Sequence, residues 1–297
     1  MNSGGRCSLA YAYSQGMEKL KAAEVPEAQL DAWYLLEYVT GIGRAAYYAD
    51  PDQIMSEEQR KEYERCIEIR SRRVPLQHIT GEQEFMGFSF KVNEHVLIPR
   101  QDTEVLVECV LEHMSGKSSG SVLDMCTGSG CILLSLMAMK PWAVGHGADL
   151  SDQALCVARE NELRIRKQVQ RPSFGASQPR IRWIQSDLFE NISDKYDIIV
   201  SNPPYIPSEQ IRTLMPEVKS YEPVMALDGS GDGLAFYRRI VRDAPEHLNA
   251  GGMLFFEIGW DQAEAVSRLL KARGFDRIHV KKDLAGLDRV VYASWIE

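Results

Sequence analysis

The segment Asn202-Pro203-Pro204-Tyr205 carries the sharpest chemical signal in the 297-residue chain. Each proline fixes its own φ and lacks an N–H donor, and a residue before proline is pushed into an extended conformation. The segment therefore predicts a rigid loop that presents two acceptors, the amide oxygen of Asn202 and the carbonyl of Pro203. Two such acceptors can hold both hydrogens of a planar NH2 group, while the ring of Tyr205 lies flat against the group that carries it.

A glycine-containing segment forms a second candidate site between a predicted strand and a predicted helix. Gly128 and Gly130 allow a tight turn and close approach of a ligand, and the next helix offers free N–H groups. Leu133 stands where a dinucleotide fingerprint needs its third glycine, and the Gly-Lys-Ser/Thr of a Walker loop is absent. Asp124, at the end of the strand, suits the ammonium of a methionyl group. The predicted ligand contacts here are Asp124, Cys126, Thr127, Gly128, Ser129 and Gly130.

Two further predicted strands end in an aspartate. Asp149 lies nineteen residues after Gly130, where a carboxylate binds ribose hydroxyls, and Leu150 follows it. Asp187 can accept from an adenine amino group, while Leu188 packs against the ring. Taken singly, each aspartate can instead cap the helix that follows, and this alternative is weaker for Asp149 than for Asp187. Together with the glycine segment, they predict a nucleoside site.

Methyl transfer is the chemistry that these segments favour together. The nitrogen of an amide or an aniline-like group is a poor nucleophile, because its lone pair is delocalised. Two acceptors raise its electron density and aim it at a sulfonium methyl group, and such positioning is worth several kcal/mol. No oxyanion forms and the leaving sulfide needs no acid, so the lack of a Ser/His/Asp set is consistent. We therefore predict S-adenosylmethionine as the cofactor.

The elements that must position these residues fall into three predicted domains. Residues 1–75 have apolar residues at helical spacing and predict a helical bundle, with Ser56 and Gln59 as a capping box. Residues 76–99 alternate and are rich in aromatics, which predicts a β-hairpin linker with a polar turn near Asn93-Glu94. Residues 100–297 predict the domain that holds both candidate sites.

Helices and strands alternate in this last domain, which predicts an α/β fold with a doubly wound, mostly parallel sheet. The predicted helices are 103–114, 131–139, 152–165, 233–247 and 260–273. The predicted strands are 121–125, 142–149, 181–185, 196–200, 253–258, 277–280 and 289–293. The basic segment 166–180, with Pro, Gly and Ser, is predicted to be a solvated loop.

Composition narrows the class of protein. The net charge is −8 and the sequence pI about 5.4, which lowers the expectation of nucleic-acid binding without excluding a local basic patch. The six cysteines form no CxxC pair and the histidines are scattered, so we predict no metal site. Neither a signal peptide nor an apolar stretch of membrane-spanning length is seen. We expect a cytoplasmic protein without membrane contact, and a monomer by default.

The chain resembles the PrmC/HemK family of protein-(glutamine-N5) methyltransferases, which modify peptide chain release factors. The glycine segment alone indicates a class I methyltransferase, and the NPPY motif narrows this to enzymes that act on planar NH2 groups. Two further segments make the resemblance specific to this family. These are IPRQDTE (98–104) and YEPVMALDGSGDGL (221–234), and PLQHITGEQEFMGFSFKV (75–92) and GGMLFFEIG (251–259) extend the match.

The resemblance implies a Rossmann-like sheet of seven strands, a hairpin linker and an N-terminal helical domain that engages the release factor. It places the glutamine of a Gly-Gly-Gln loop against Asn202, Pro203, Pro204 and Tyr205. Glu104 is expected at the substrate entrance, and Arg100 either near the methionine end of the cofactor or in a structural hydrogen bond to the loop. The chain departs from the family pattern at Cys126, where Gly is more usual, and at Gln101, where Pro is frequent.

Two alternatives stay open at this point. An adenine-N6 methyltransferase acting on nucleic acid would share the NPPY chemistry, because it also binds a planar NH2 group. Residues 1–75 contain ten basic and twelve acidic residues, a charge balance that disfavours binding to the phosphate backbone of DNA. Arg70, Arg72 and Arg73 nevertheless form a local basic cluster. A binding module without activity is the second alternative. The intact glycine segment, Asp149 and the NPPY motif disfavour it.

Overall fold

The computed structural model describes residues 7–141, 143–169 and 180–296, which form two compact units. The smaller unit contains the residues up to Gly81 together with Met215–Tyr221. The larger unit contains Glu82–Leu214 and the residues from Glu222 onwards. The predicted domain boundaries after residues 75 and 99 stay a prediction. Among the described residues, no helix is long and apolar enough to cross a membrane.

The smaller unit is helical, as its periodicity predicts. Its N-terminal helices are α1 (Leu9–Ala22), α2 (Ala28–Thr40), α3 (Arg44–Ala49), α4 (Glu57–Ser71) and α5 (Leu76–Thr80). The predicted capping box is confirmed, because the Ser56 hydroxyl accepts from the Gln59 N–H and the Gln59 side chain accepts from the Ser56 N–H. In the core, Trp33 packs edge-on against Tyr13 and Tyr47, with ring centroids 6.1 and 5.1 Å away.

A hairpin of β1 (Glu82–Phe85) and β2 (Phe88–Lys91) opens the larger unit. The predicted position of its turn, near Asn93-Glu94, is wrong, because the turn lies at Met86-Gly87. Both turn residues have positive φ, 52° and 77°, as a two-residue hairpin turn of the primed type requires. The N–H of Met86 donates to the Glu104 carboxylate at 2.6 Å, a contact from outside the hairpin that its own sequence does not reveal.

The predicted seven-stranded, mostly parallel sheet is confirmed. Its strands are β3 (Ser121–Met125), β4 (Val144–Asp149), β5 (Arg180–Gln185), β6 (Tyr196–Ser201), β7 (Leu248–Glu257), β8 (Asp276–Lys282) and β9 (Asp288–Ser294). They lie in the order β5-β4-β3-β6-β7-β9-β8. Strands β3 to β7 are parallel, and β9 runs antiparallel to both β7 and β8. The carboxyl ends of the parallel strands therefore meet at one edge.

Helices cover both faces of this sheet. They are α6 (Gln101–His113), α7 (Cys131–Met139), α8 (Asp152–Gln168), α11 (Ala235–His247) and α12 (Ala263–Arg273), and the connection after β6 holds α9 (Ser208–Ile211) and α10 (Pro216–Tyr221). Alternate strand residues face two separate cores, as the side-chain period of two requires. Leu123 and Ile199 pack in one core with α11 and α12, while Val122 and Ile198 pack in the other with α6 and α7.

Strand β4 contains two glycines, Gly145 and Gly147, which leave space for larger side chains of neighbouring elements. A β-carbon on Gly147 would lie 2.4 Å from the Trp183 ring of the adjacent strand. One on Gly145 would lie 2.8 Å from the sulfur of Met137 in α7. Side chains from β5 and α7 therefore fill the space that β4 gives up. The predicted basic loop 166–180 is wrong at its ends, because residues 166–168 belong to a helix that ends at Gln168 and Arg180 begins β5. Residues 170–179 lie outside the described residues.

Helix α10 belongs to the smaller unit through a buried ionic cluster. Arg70 of α4, only 5% exposed, donates from Nε to Asp31 at 2.7 Å and from Nη2 to Glu217 of α10 at 3.0 Å. Arg73 donates to both oxygens of the Glu217 carboxylate, at 2.6 and 2.7 Å. Buried charges persist only when they are paired and hydrogen-bonded, so Glu217 is a structural component of the helical unit.

Candidate functional site

A cavity of about 270 Å³ opens at the carboxyl ends of β3, β4 and β6, the edge where such sheets bind ligands. All of its wall residues belong to the larger unit. The predicted site residues on the wall are Arg100, Cys126, Thr127, Gly128, Ser129, Asp149, Leu150, Asp187, Leu188, Asn202 and Pro204. The predicted residues that do not line it are Glu104, Asp124, Gly130, Pro203 and Tyr205.

Asp124 anchors the glycine loop, residues 126–130, which connects β3 to α7. This side chain is fully buried, and its carboxylate accepts from the Thr127 hydroxyl at 2.5 Å and from the Leu133 N–H at 3.3 Å. Burial raises the pKa of Asp124 to about 7, although the Thr127 and Leu133 donors oppose the shift. Asp124 therefore acts on the shape of the loop, and the predicted contact with a ligand ammonium stays a prediction.

Backbone conformation explains part of the loop sequence. Gly128 and Gly130 have φ of 54° and 78°, in the left-handed region that glycine enters without strain. Cys126 also has positive φ, 61°, so the family position where glycine is more usual is left-handed here too. A β-carbon on Gly130 would lie 2.9 Å from the Trp183 ring, whereas one on Gly128 would meet no atom within 4 Å.

This difference predicts unequal costs for two alanine substitutions in one loop. Gly128→Ala is expected to lower the free energy of unfolding by about 1 kcal/mol, the cost of a left-handed non-glycine residue. Gly130→Ala is expected to cost about 1–3 kcal/mol more, because the new methyl group must displace Trp183. Urea unfolding of both variants measures the difference. Equal losses would show that the contact with Trp183 does not constrain the loop.

Asp149 and Asp187 reach the cavity from neighbouring strands. The Asp149 carboxylate accepts from the Gly128 N–H and from the Ser151 N–H, both at 2.9 Å, so it also ties the glycine loop to β4. Burial raises the pKa of Asp149, and these backbone donors oppose the shift. Asp187 accepts from the Arg239 guanidinium at 2.8 Å, which fixes the direction of its carboxylate.

The NPPY loop follows β6, which is fastened to β3 by a bond from the Ser201 hydroxyl to the Met125 carbonyl at 2.7 Å. Asn202 lines the cavity, and its Nδ2 donates to Thr103 Oγ1 at 3.4 Å. Tyr205 turns its hydroxyl to the Glu257 carboxylate at 3.3 Å, away from the cavity wall. The loop thus presents the Asn202 amide to the cavity and anchors its far end at Tyr205.

The backbone of Tyr205 is also closely enclosed. Its carbonyl accepts from the Gln262 side chain at 3.0 Å. A β-carbon on Gly229 would lie 2.8 Å from the Tyr205 backbone, and one on Gly233 would lie 2.3 Å from the Tyr205 carbonyl oxygen. The glycines of the 221–234 segment therefore let it approach the NPPY loop.

Arg100 and Glu104 start the helix α6 but have different neighbours. Arg100 lines the cavity and donates to the Glu222 carboxylate of the 221–234 segment at 2.6 Å. This is a structural bond to a different segment from the expected one, and the predicted place of Arg100 near the methionine end of the cofactor stays a prediction. Glu222 is buried, and burial raises its pKa although Arg100 opposes the shift. Glu104 binds the hairpin turn at Met86, and its predicted contact with substrate stays a prediction.

Several residues that line the cavity, or that bond to residues of the site, were not predicted from the sequence. They are His95, Val96, Leu97, Pro99, Thr103, Glu222, Met225, Ala226, Asp228, Ser230, Phe236 and Glu257. Seven of these twelve residues lie within IPRQDTE and YEPVMALDGSGDGL, and three more directly precede IPRQDTE, so the two motifs are the signal that could have found them. Nothing in the sequence pairs Arg100 with Glu222, because 122 residues separate them.

The donor set fits a nucleoside that carries a methionyl end. Gly128 leaves open space above the loop backbone, and the carboxylates of Asp149 and Asp187 on the cavity wall are acceptors of the kind that ribose hydroxyls and an adenine amine require. Apolar surface for a flat ring is supplied by Leu188 and Phe236. Among the described residues, no group of His, Cys, Asp and Glu is arranged to hold a metal ion.

A solved structure with the same fold is the catalytic domain of hMettl16, determined in complex with an RNA hairpin. It superposes with a TM-score of 0.54 at 15% sequence identity, over 83% of this chain and 86% of that chain. At this identity the likeness shows a shared methyltransferase fold and nothing about the substrate.

Curated relatives are much more similar in sequence. The release factor glutamine methyltransferase of Clostridium botulinum is 40% identical over 94% of this chain and 96% of that protein. The protein of the same name from Caulobacter vibrioides is 39% identical, over 96% and 95%. Family models for the PrmC N-terminal domain and the methyltransferase small domain match residues 12–81 and 101–217. The chain belongs to the family of release factor glutamine methyltransferases.

Proposed function

We propose that this protein transfers a methyl group from S-adenosylmethionine to the side-chain N5 of a glutamine, the one in the Gly-Gly-Gln motif of class I peptide chain release factors. The observation that carries the proposal is the convergence of Asn202 with the glycine loop in one cavity. This arrangement suits a planar NH2 group beside a nucleoside cofactor. The names of the curated relatives support the choice of substrate.

Cofactor binding is assigned to the glycine loop and the strand ends. The Gly128 N–H is bonded to Asp149, whereas Cys131 and Ile132 at the start of α7 line the cavity, and the N-terminus of a helix suits a polar ligand end. Asp149 is proposed to hold the ribose, and Asp187 with Leu188 the adenine. When bound, S-adenosylmethionine supplies the methyl group on its sulfonium centre.

Substrate activation is assigned to the NPPY loop. The Asn202 amide oxygen and the Pro203 carbonyl accept the two hydrogens of the glutamine NH2, which raises electron density on nitrogen and restricts its direction. Tyr205 does not line the cavity, so its predicted contact with the planar group stays a prediction. The N–C bond would form as the bond between the methyl group and the sulfonium sulfur breaks, and the nitrogen would lose one proton. Because a methylated, protonated amide is strongly acidic, water can accept that proton without help from a side-chain base.

Recognition of the rest of the release factor is assigned to the N-terminal helical unit. We expect the enzyme to act as a monomer in the cytoplasm, where its substrate is found, without membrane contact. Direct binding of nucleic acid is not part of the proposal. An inactive binding module is disfavoured, because such a protein has no need for the ordered acceptor at Asn202.

The test is a transfer assay with methyl-labelled S-adenosylmethionine. Purified release factor, the same factor with its Gly-Gly-Gln glutamine changed to alanine, and DNA are offered in parallel. We expect label on the intact factor alone, and mass spectrometry should place it on that glutamine. Label on DNA would favour the adenine-N6 alternative. Cofactor binding without label on any substrate would overturn the assignment of substrate and keep that of the cofactor.

A further inference from the structure

Strand β2 pairs with β1 along one edge, and two amide side chains of α8 bind its other edge. Gln168 accepts from the Ser89 N–H at 3.0 Å and donates to the Ser89 carbonyl at 2.9 Å. Asn161 accepts from the Lys91 N–H at 2.6 Å and donates to the Lys91 carbonyl at 3.0 Å. Each amide therefore makes the two bonds that a residue of a neighbouring strand would make.

Asn161 makes a further bond, which reaches the glycine loop. Its side chain is fully buried, and its Nδ2 also donates to the Ser129 carbonyl at 2.9 Å. Ser129 lines the cavity and is itself only 3% exposed. Gln168, by contrast, lies at the surface and bonds to the hairpin. The NH2 group of Asn161 thus joins the hairpin to the wall of the cavity.

The hairpin fixes the orientation of the Asn161 amide. A backbone N–H can only donate, so the Lys91 N–H requires the oxygen of the amide on its side. The NH2 group is then directed at the carbonyls of Lys91 and Ser129, which can only accept. With its two ends exchanged, the amide would set donor against donor and acceptor against acceptor, and it would lose these bonds.

The oriented NH2 group in turn fixes the peptide between Ser129 and Gly130. The carbonyl of this peptide accepts from Asn161, and its N–H donates to the Thr127 carbonyl at 2.8 Å. Gly130 has φ of 78°, and because glycine adopts either sign of φ, the backbone alone permits this peptide to turn over. Turned over, it would leave the buried Ser129 carbonyl without its donor, which is unfavourable.

We propose that Asn161 is a positioning residue, which holds the glycine loop in the form that receives S-adenosylmethionine and links this loop to strand β2. The inference rests on the proposed function for the identity of the cofactor. Asn161 is not on the cavity wall, so it acts through Ser129 and not by contact with the cofactor. Coupling is reciprocal, so a ligand that stabilises the loop must also stabilise the bonds between Asn161 and β2.

Truncation of the two amides tests the effect on the cofactor in the full-length protein. Asn161→Ala removes the bonds to both the hairpin and the loop, and alanine is a good helix former in α8. We expect affinity for S-adenosylmethionine to fall about tenfold, the equivalent of about 1.4 kcal/mol. At saturating cofactor, kcat should stay within about threefold of the parent, because the reacting groups are unchanged.

The matched control is Gln168→Ala, which removes the corresponding bonds to Ser89 and should bind the cofactor with parental affinity. Calorimetric titration measures the affinity of each variant. Parental affinity in Asn161→Ala, or the same loss in Gln168→Ala, would overturn the inference.

Ile165→Ala separates positioning from a general loss of stability. Ile165 lies about one turn after Asn161 in α8, is 4% exposed and packs in the core that contains α7. Loss of its buried atoms destabilises the protein without removing a bond to the loop. We expect a lower Tm in both Ile165→Ala and Asn161→Ala, but parental cofactor affinity in Ile165→Ala. An equal loss of affinity in both would mean that Asn161 contributes only to stability.

Hydrogen exchange tests the link to β2 and needs no substitution in the parent. Saturating S-adenosylhomocysteine should slow exchange of the Lys91 N–H by about fivefold or more, because the open form of its bond to Asn161 becomes rarer. Exchange of the Ile67 N–H, in α4, should not change. In Asn161→Ala the slowing at Lys91 should disappear. A Lys91 N–H that exchanges equally fast with and without bound ligand would overturn the link.

Neither the affinity nor the exchange measurement needs a release factor. Absence of methyl transfer to any release factor would therefore refute the proposed substrate while the role of Asn161 is still decided by these two measurements. Conversely, full activity on the release factor with parental cofactor affinity in Asn161→Ala would refute the positioning role alone.

Discussion

Asn202→Ala is expected to lower kcat about a thousandfold while affinity for S-adenosylmethionine changes less than about threefold. Loss of one preorganised hydrogen-bonding group at a reacting centre typically costs about 10²–10³ in rate. Asn202 lies on the cavity wall and is the acceptor in the proposed mechanism, whereas the substitution leaves Asp149 and the glycine loop unchanged in sequence. Single-turnover transfer to the release factor, combined with calorimetric titration of the cofactor, measures both quantities.

A matched variant distinguishes the amide oxygen from the bulk of the side chain. Asn202→Asp keeps the size and an oxygen acceptor but replaces the NH2 group that donates to Thr103. We expect it to retain more activity than Asn202→Ala. Turnover of Asn202→Ala at the parental rate would refute the mechanism proposed for this loop, and a parallel loss of cofactor affinity would show that Asn202 mainly supports the cofactor.

Glu217→Ala is expected to lower the free energy of unfolding by about 3–5 kcal/mol, the usual cost of removing one partner from a buried ion pair. The substitution leaves Arg70 and Arg73 without the carboxylate that both of them contact, and Arg70 is only 5% exposed. Asp31 alone must then balance Arg70. Urea unfolding followed by far-UV circular dichroism measures the change.

The control for this prediction is Glu64→Ala, on the surface of α4. Glu64 pairs with Arg60, and both side chains are well exposed to solvent, 58% and 37%. Exposed pairs contribute little, so we expect almost no change in stability. Equal losses in the free energy of unfolding for the two substitutions would mean that burial of the Glu217 ion pairs does not increase their contribution to stability.

The effect of Glu217 should also depend on pH. Burial raises the pKa of this carboxyl, but hydrogen bonds from Arg73 and Arg70 outweigh it and hold the pKa below its ordinary value of 4.5. A carboxyl whose folded pKa is lowered stabilises the protein above the unfolded pKa and loses this contribution as pH falls through the folded pKa. The difference between the parent and Glu217→Ala should therefore shrink in acid below about pH 4.5.

Local patterns predict much of this fold. The alternation of helix and strand gives the seven-stranded sheet, and the aspartate-ended strands together with the NPPY motif locate the cavity edge. This succeeds because parallel strands place their carboxyl ends together whatever the intervening sequence. The capping box at Ser56 is likewise a local signal, and it is confirmed.

Contacts between distant parts of the chain are what local patterns cannot supply. The Met86 N–H in the hairpin turn binds Glu104, and that pairing cannot be predicted from the sequence of the hairpin alone. Asp124 has the sequence position of a ligand contact, but depth within the sheet buries it under the loop. Thr103 and Glu257 lack any motif of their own, and only folding brings them beside Asn202 and Tyr205.

The return of residues 215–221 to the helical unit limits how modular this protein can be. A polypeptide that ends at Gly81 lacks the carboxylate of Glu217, so Arg70 is left with Asp31 and Arg73 loses the carboxylate that it binds at both oxygens. Residues up to Gly81 therefore do not form a complete domain by themselves. Exchange of this unit between relatives, in the laboratory or by recombination, must carry a matched 215–221 segment with it.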